Sequence, residues 1–158
     1  MVGVALLVGG GGEKEVADEK PAKEKKSVKA PIREVSAEEL EKRDGVQYVK
    51  GENIPFTGTA IHYREDGSKR FEIPYVDGKE HGTVISYWKD GSKQIETSYV
   101  NGKRHGTQID FYEDGSKKLE RPYVDGKMHG TAIGYSKEGK MIWKSTWKNG
   151  KKISEKEF

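Results

Sequence analysis

From Thr59 onward, apolar and polar side chains alternate in short runs broken by glycine. In Thr83, Ile85 and Tyr87, and again in Ile95, Thr97 and Tyr99, every second position is apolar or β-branched. Residues two apart on an extended chain share a face, so the pattern predicts pairs of β-strands and excludes helices there. Ahead of this region the pattern changes. The one apolar run, Val2 to Val8, is followed by Gly9 to Gly12. Glu13 to Glu34 then mixes lysine and glutamate around Pro21 and Pro31, the composition of a solvated linker. Val35 to Leu40 reads as a helix start, with Ser36 as N-cap, Glu39 closing a capping box and Val35 packing on Leu40. The expected organisation is an apolar and glycine segment over 1–12, a disordered charged linker over 13–35, a short helix over 36–43, a β-repeat domain over 44–154 and a tail over 155–158.

The β region is self-similar at a period of 24. Between Thr83–Gly106 and Thr107–Gly130, 13 of 24 positions are identical. Gly67, Gly91, Gly115 and Gly139 form one column, Gly78, Gly102, Gly126 and Gly150 a second, and Gly58, Gly82, Gly106 and Gly130 a third. Aromatic residues recur at Tyr63, Tyr87, Phe111 and Tyr135, and at Tyr75, Tyr99, Tyr123 and Trp147. Each unit is therefore a hairpin, and successive hairpins add side by side into an all-β, elongated, twisted and largely antiparallel sheet with one apolar face and one polar face. A three-residue loop such as Lys89-Asp90-Gly91, with glycine in the left-handed position, is expected because it pairs Ile85 with Ile95, Ile61 with Phe71, Ile109 with Leu119 and Ile133 with Trp143. The second connection, Asp77-Gly78-Lys79-Glu80-His81 and its equivalents, reads as longer. Pro74 and Pro122 cannot donate to a ladder and predict bulges or incomplete pairing beside them.

Composition agrees with a thin architecture. Of 158 residues, 32% are hydrophobic and 35% charged, too little apolar material for a conventional core. The formal charge of +3 balances 29 basic against 26 acidic residues, so nucleic acid is not an expected partner. The absence of cysteine excludes disulfides, thiolate nucleophiles and Cys-ligated metals. Val2 to Val8 falls far short of the roughly 20 residues of a spanning helix. Leu7-Val8-Gly9-Gly10 resembles the end of a bacterial lipoprotein signal but has Gly10 in place of the lipidated cysteine.

No column carries catalytic chemistry. His81, His105 and His129 recur two strands apart, about 10 Å, too far to share one zinc, and Glu72, Glu96 and Glu120 are too far apart for a retaining-glycosidase pair. Ser68, Ser92 and Ser116 have no base fixed beside them. The expectation is a chain that is not an enzyme and holds no cofactor or metal. Two features suit binding instead. Trp88 and Tyr112 stand on the face opposite Tyr87 and Phe111, and Lys79, Lys103, Lys127 and Lys151 form a row with Arg104 beside it.

The columns Tyr-Val-Asp-Gly-Lys-x-His-Gly-Thr (Tyr75 to Thr83, echoed at Tyr99 to Thr107 and Tyr123 to Thr131) and the following Tyr-x-x-Asp-Gly-Ser resemble the MORN repeat. More closely they resemble its variant in bacterial YwqK-type antitoxins, whose lead-in is similar to Arg43 to Tyr48 with Pro55 to Gly58. The likeness spans roughly residues 43 to 152 and departs at Ile153-Ser154, where His-Gly is expected, and at Trp143 and Trp147. It implies a tandem-hairpin fold and a protein partner, in the antitoxin form a cognate toxin; the aromatic pair and the basic row put forward Trp88, Tyr112, Lys79, Lys103, Arg104 and Lys127 as the contact residues. A scaffold at the cell envelope touching lipid head groups is the alternative. Envelope, periplasm and cytoplasm all stay open.

Overall fold

A computed structural model describes residues 33–158; the expected segment 1–12 and nearly all of the expected linker lie outside the described residues. The chain enters through β1 (Glu34–Ser36), which pairs in parallel with β4 (Gly58–Tyr63). The capping box forms as read: Glu39 accepts from the Ser36 N–H at 2.8 Å and the Ser36 hydroxyl from the Glu38 N–H. It opens only a 3-10 turn, Ala37–Glu39, and the helix expected over 36–43 does not form. Leu40–Arg43 is instead strand β2, folded on β3 (Val46–Val49) across Asp44-Gly45. Both turn residues have positive φ, 49° and 84°, the type I′ turn that matches strand twist, and that hairpin prevails over a helix too short to stand alone.

The repeats follow as β5 (Lys69–Val76), β6 (Lys79–Glu80), β7 (Gly82–Tyr87), β8 (Lys93–Val100), β9 (Lys103–Phe111) and β10 (Lys117–Val124). They continue as β11 (Lys127–Met128), β12 (Gly130–Tyr135), β13 (Met141–Lys148) and β14 (Lys151–Glu157). All but β2 and β3 belong to one twelve-stranded sheet, antiparallel after β1. The expected tail is the end of this sheet, with the Phe158 N–H donating to the Ile142 carbonyl at 2.9 Å.

The loops of three residues occur where expected. Trp88 bonds Ser92 and Gly91 bonds back to Trp88, with Gly91 at φ 87°. The apolar pairs they were expected to make do not. Three residues past each loop the return strand bulges, at Arg70, Gln94, Lys118 and Ile142, and the register moves by one. Ile85 then faces Glu96, Ile61 faces Glu72, Ile109 faces Glu120 and Ile133 faces Lys144. In the first three units the shift brings the lysine before the bulge to a glutamate, and the fourth unit bulges in the same way with Met141 in that place. On a regular strand residues three apart point to opposite faces; the extra residue puts Lys69 and Glu72 on the same face, 2.5 Å apart, and likewise Lys93 with Glu96 and Lys117 with Glu120 at 2.6 Å.

The second connection is shorter than expected. Asp77-Gly78, Asn101-Gly102, Asp125-Gly126 and Asn149-Gly150 are two-residue turns with φ positive at both positions. The residues counted as loop are paired strand followed by a bulge at His-Gly. Pairing does lapse beside Pro74 and Pro122. The same two-residue excess, His105-Gly106, stands opposite Ser98, so the bulge belongs to the glycine at positive φ and proline fits a gap already there.

Neither face is uniformly apolar. The glutamate face carries the row Ile61, Glu72, Ile85, Glu96, Ile109, Glu120 and Ile133. The ring face sets each bulky side chain against a small or polar one: Phe71 by Ser86, Ile95 by Asp110, Leu119 by Gly134, and Tyr75, Tyr99, Tyr123 and Trp147 across from Gly58, Gly82, Gly106 and Gly130. A second layer covers the start of the sheet, where Val35, Val49, Phe56, Ala60 and Tyr75 form a core with Leu40 and Ile73 packed on it.

A Cβ at Gly78 would sit 2.3 Å from Val46 Cγ1 and 2.7 Å from the Gln47 carbonyl oxygen, whereas Gly102, equally left-handed, has open space. Gly102→Ala is expected to cost about 1–2 kcal/mol of backbone strain, and Gly78→Ala clearly more. Equal urea midpoints for the two variants would contradict this reading.

Candidate functional site

Four side chains stand at the seams between units, each just before a three-residue loop: Arg64, Trp88, Tyr112 and Ser136. Two of them reach across to the next unit. The Arg64 guanidinium donates to the Tyr87 carbonyl and, at 2.5 Å, to that of Lys69. The Tyr112 hydroxyl donates to the Tyr135 carbonyl at 2.9 Å. Trp88 makes no such bond, and its indole N–H is shielded from solvent without an acceptor. The expected aromatic pair is thus two half-buried rings with different tasks. Neither belongs to the core over the start of the sheet.

The expected basic row is present and exposed. Lys79, Lys103 and Lys127 lie beside the two-residue turns, paired across with Val76, Val100 and Val124, which are 42%, 41% and 43% exposed. Strand spacing puts successive Val–Lys pairs about 10 Å apart. Arg104, also exposed, turns to the ring face, where its guanidinium is 5.4 Å from the centre of the Tyr123 ring and 3.5 Å from the Tyr99 hydroxyl. The structure therefore separates Arg104 from the lysine row.

The histidine column serves the turns: His129 Nδ1 lies 3.2 Å from Asn149 Oδ1, and His105 Nδ1 lies 3.7 Å from Asp125. Among the described residues no group of three His, Asp or Glu side chains could hold one metal ion. Two members of the glutamate column are held ionised. Lys69 and the Tyr87 hydroxyl, the latter at 2.8 Å, keep Glu72 below the ordinary carboxylate range, and Lys117 and Tyr135 do the same for Glu120. Burial, with Glu72 as its acceptor, pushes Tyr87 up to about 12. Glu80 is the exception, raised by burial against the pull of Lys42 and Arg104. It fills the place on the ring face that Arg104 and Met128 take in later units, a position the repeat columns show as variable.

Two features escaped the sequence reading. The Asp110 carboxylate, in the middle of the ring face, accepts from Arg121 at 2.5 Å and Gln108 at 2.8 Å. An open depression of about 780 Å³ lies between the first two three-residue loops, lined by Tyr63, Arg64, Arg70, Trp88, Lys89 and neighbours. The non-repeating residues at 64, 70 and 88 were the available signal, hidden because the bulge at Arg70 was not foreseen.

Residues 80–101 and 104–125 match the family described as MORN repeat variant. No curated protein and no solved structure matches the chain. The matched segments are consecutive copies of the hairpin unit, and the chain is thus one that carries MORN-variant repeats.

Phe111 stands where Tyr87 and Tyr135 bond a glutamate, and Glu96 has Lys93 alone. Phe111→Tyr should supply the missing hydroxyl and raise stability by about 0.5–1 kcal/mol in a urea titration; no gain would show that the column does not act as a ladder. Glu72 and Glu120 have folded pKa values below 4.5, so their contribution is complete above that value and drains as pH falls through the folded pKa. Melting temperature should drop below about pH 4.5, less steeply in Glu120→Gln; parallel pH profiles would refute the assignment.

Proposed function

We propose that the chain is a non-enzymatic protein-binding module and, in the narrower form suggested by its likeness to the YwqK-type antitoxins, that it holds a cognate toxin. One observation carries the reading. Beyond the first unit the sheet is a single layer, and its ring face presents half-buried Ile95, Tyr99, Leu119, Trp143 and Trp147 with no second layer among the described residues. MORN-variant repeats are in keeping with a binding role. Glu72 and Glu120 are held ionised and bonded to lysine and tyrosine, which suits a ladder better than an acid catalyst.

A second reading, a scaffold at the cell envelope, is favoured by the Val–Lys stripe, whose alternation of apolar and cationic side chains suits anionic head groups.

The test is affinity capture from the native host with the full chain, at moderate salt, beside the Trp88→Ala Tyr112→Ala double variant with its fold checked by melting. A stoichiometric protein that is toxic when expressed alone, neutralised by co-expression and lost from the double variant is the expected result. Capture unchanged by the variant would remove Trp88 and Tyr112 from the interface. No specific protein, with the chain in the membrane fraction, would replace the module reading with the scaffold.

A further inference from the structure

The depression between the first two three-residue loops differs from its counterparts farther along the sheet. The seam residue is arginine only in the first unit, and the bulge residue, Arg70, becomes Gln94, Lys118 and Ile142 in the others. The first seam therefore has two guanidinium groups beside one cavity. Arg64 gives its hydrogen bonds to the carbonyls of Tyr87 and Lys69 and to the Ser68 hydroxyl, all neutral acceptors that leave its charge uncompensated. Arg70 is exposed, lies 5.2 Å from the centre of the Phe71 ring and has no hydrogen bond or ion pair among the described residues. Lys89 is paired with Asp66 at 3.5 Å. The walls add two aromatic surfaces: Tyr63, 52% exposed, and Trp88, whose indole N–H still lacks an acceptor.

Guanidinium groups without counter-ions favour a planar anion that can take two parallel N–H bonds, and aromatic walls favour a flat or apolar neighbour to it. The volume lies within the range of small-ligand sites, about 300–1,000 Å³. Glu65 and Asp66 also line the cavity and repel a chain of phosphates, so a single carboxylate fits better than nucleic acid.

We propose that the cavity between the first two three-residue loops is a docking site for an acidic peptide segment of the protein partner, its carboxylate taken by Arg64 and Arg70 and its neighbouring apolar or aromatic residue laid against Trp88 and Tyr63. The proposal rests on the protein-binding reading and names the chemistry of the partner. Arg64 is tied to the backbone and holds the site in shape; Arg70 is free to move onto the ligand. The site is confined to one end of the array, so binding there leaves the ring face of the later units unoccupied.

The test follows the amide and indole resonances of the full chain by NMR during titration with acetyl-Phe-Glu-Pro-amide, its Gln twin, and oligothymidylate. The Trp88 indole is assigned through Trp88→Phe. Saturable shifts at Trp88 and Arg70 with the Glu peptide, at least tenfold weaker with the Gln twin and in Arg70→Gln, are expected. Arg70 makes no hydrogen bond or ion pair among the described residues and only an exposed contact with the Phe71 ring, so its replacement should leave the fold intact and melting close to wild type. Equal response to both peptides, no response to either, or binding of oligothymidylate in their place would overturn the site. Arg70→Gln used as bait in the capture experiment separates the two readings: a partner retained equally by wild type and variant sinks this site and leaves the module standing, whereas no partner with either sinks the module.

Discussion

Each two-residue turn is bonded to the unit before it. The Gly102 N–H donates to the Glu80 carbonyl, Gly126 to Arg104 and Gly150 to Met128, all at 2.8 Å, and Gly78 opens the series on Phe56. These bonds require the backbone to turn with φ positive at two successive residues, which asparagine or aspartate followed by glycine tolerates. A hairpin so tied has one position relative to its predecessor. The sheet can then extend without a second layer, because register passes from turn to turn through the backbone rather than through a shared core.

That arrangement explains why both faces are mixed. A sheet packed on one side would need a continuous apolar face, and burying Glu72, Glu96 and Glu120 there would be costly. In a single layer the glutamates stay at the surface, bonded to lysines the bulges bring onto their own face. The ring face is filled by size: Trp143 lies over Gly134, where a Cβ would come within 2.3 Å of its indole nitrogen. Buried Ser86, Thr97, Gln108 and Ser145 are small or polar enough to lie beneath their larger neighbours. The last strand, rich in lysine and glutamate along its exposed length, is a charged edge of the kind that discourages strand addition.

Much of the candidate surface was legible in the chain, but not its division. Lys79, Lys103 and Lys127 line up as their spacing demands, since a 24-residue period fixes them to equivalent turns. Arg104 is adjacent to Lys103 in the chain and projects to the other face, as alternation on a strand requires. Tyr112 and Trp88 share a column but not a role, because one hydroxyl reaches a carbonyl of the next unit and one indole does not. Arg70 breaks its column, where later units have Gln94, Lys118 and Ile142, but its place at the first seam comes from a bulge that alternation along the strand does not show.

The sequence by itself determined the unit, its period, the three-residue loops, and the capping box of Ser36 and Glu39. These are local: they follow from glycine's backbone freedom, from alternation of side chains and from hydrogen bonds within a few residues. The tertiary structure alone decided the register past each loop, the fate of residues 40–43 as a strand, and the seam where Arg64 and Arg70 meet. Each of these turns on a partner in another strand or another unit. A one-residue shift in such a partner exchanges the faces of a strand and so outweighs the local preference that alternation expresses.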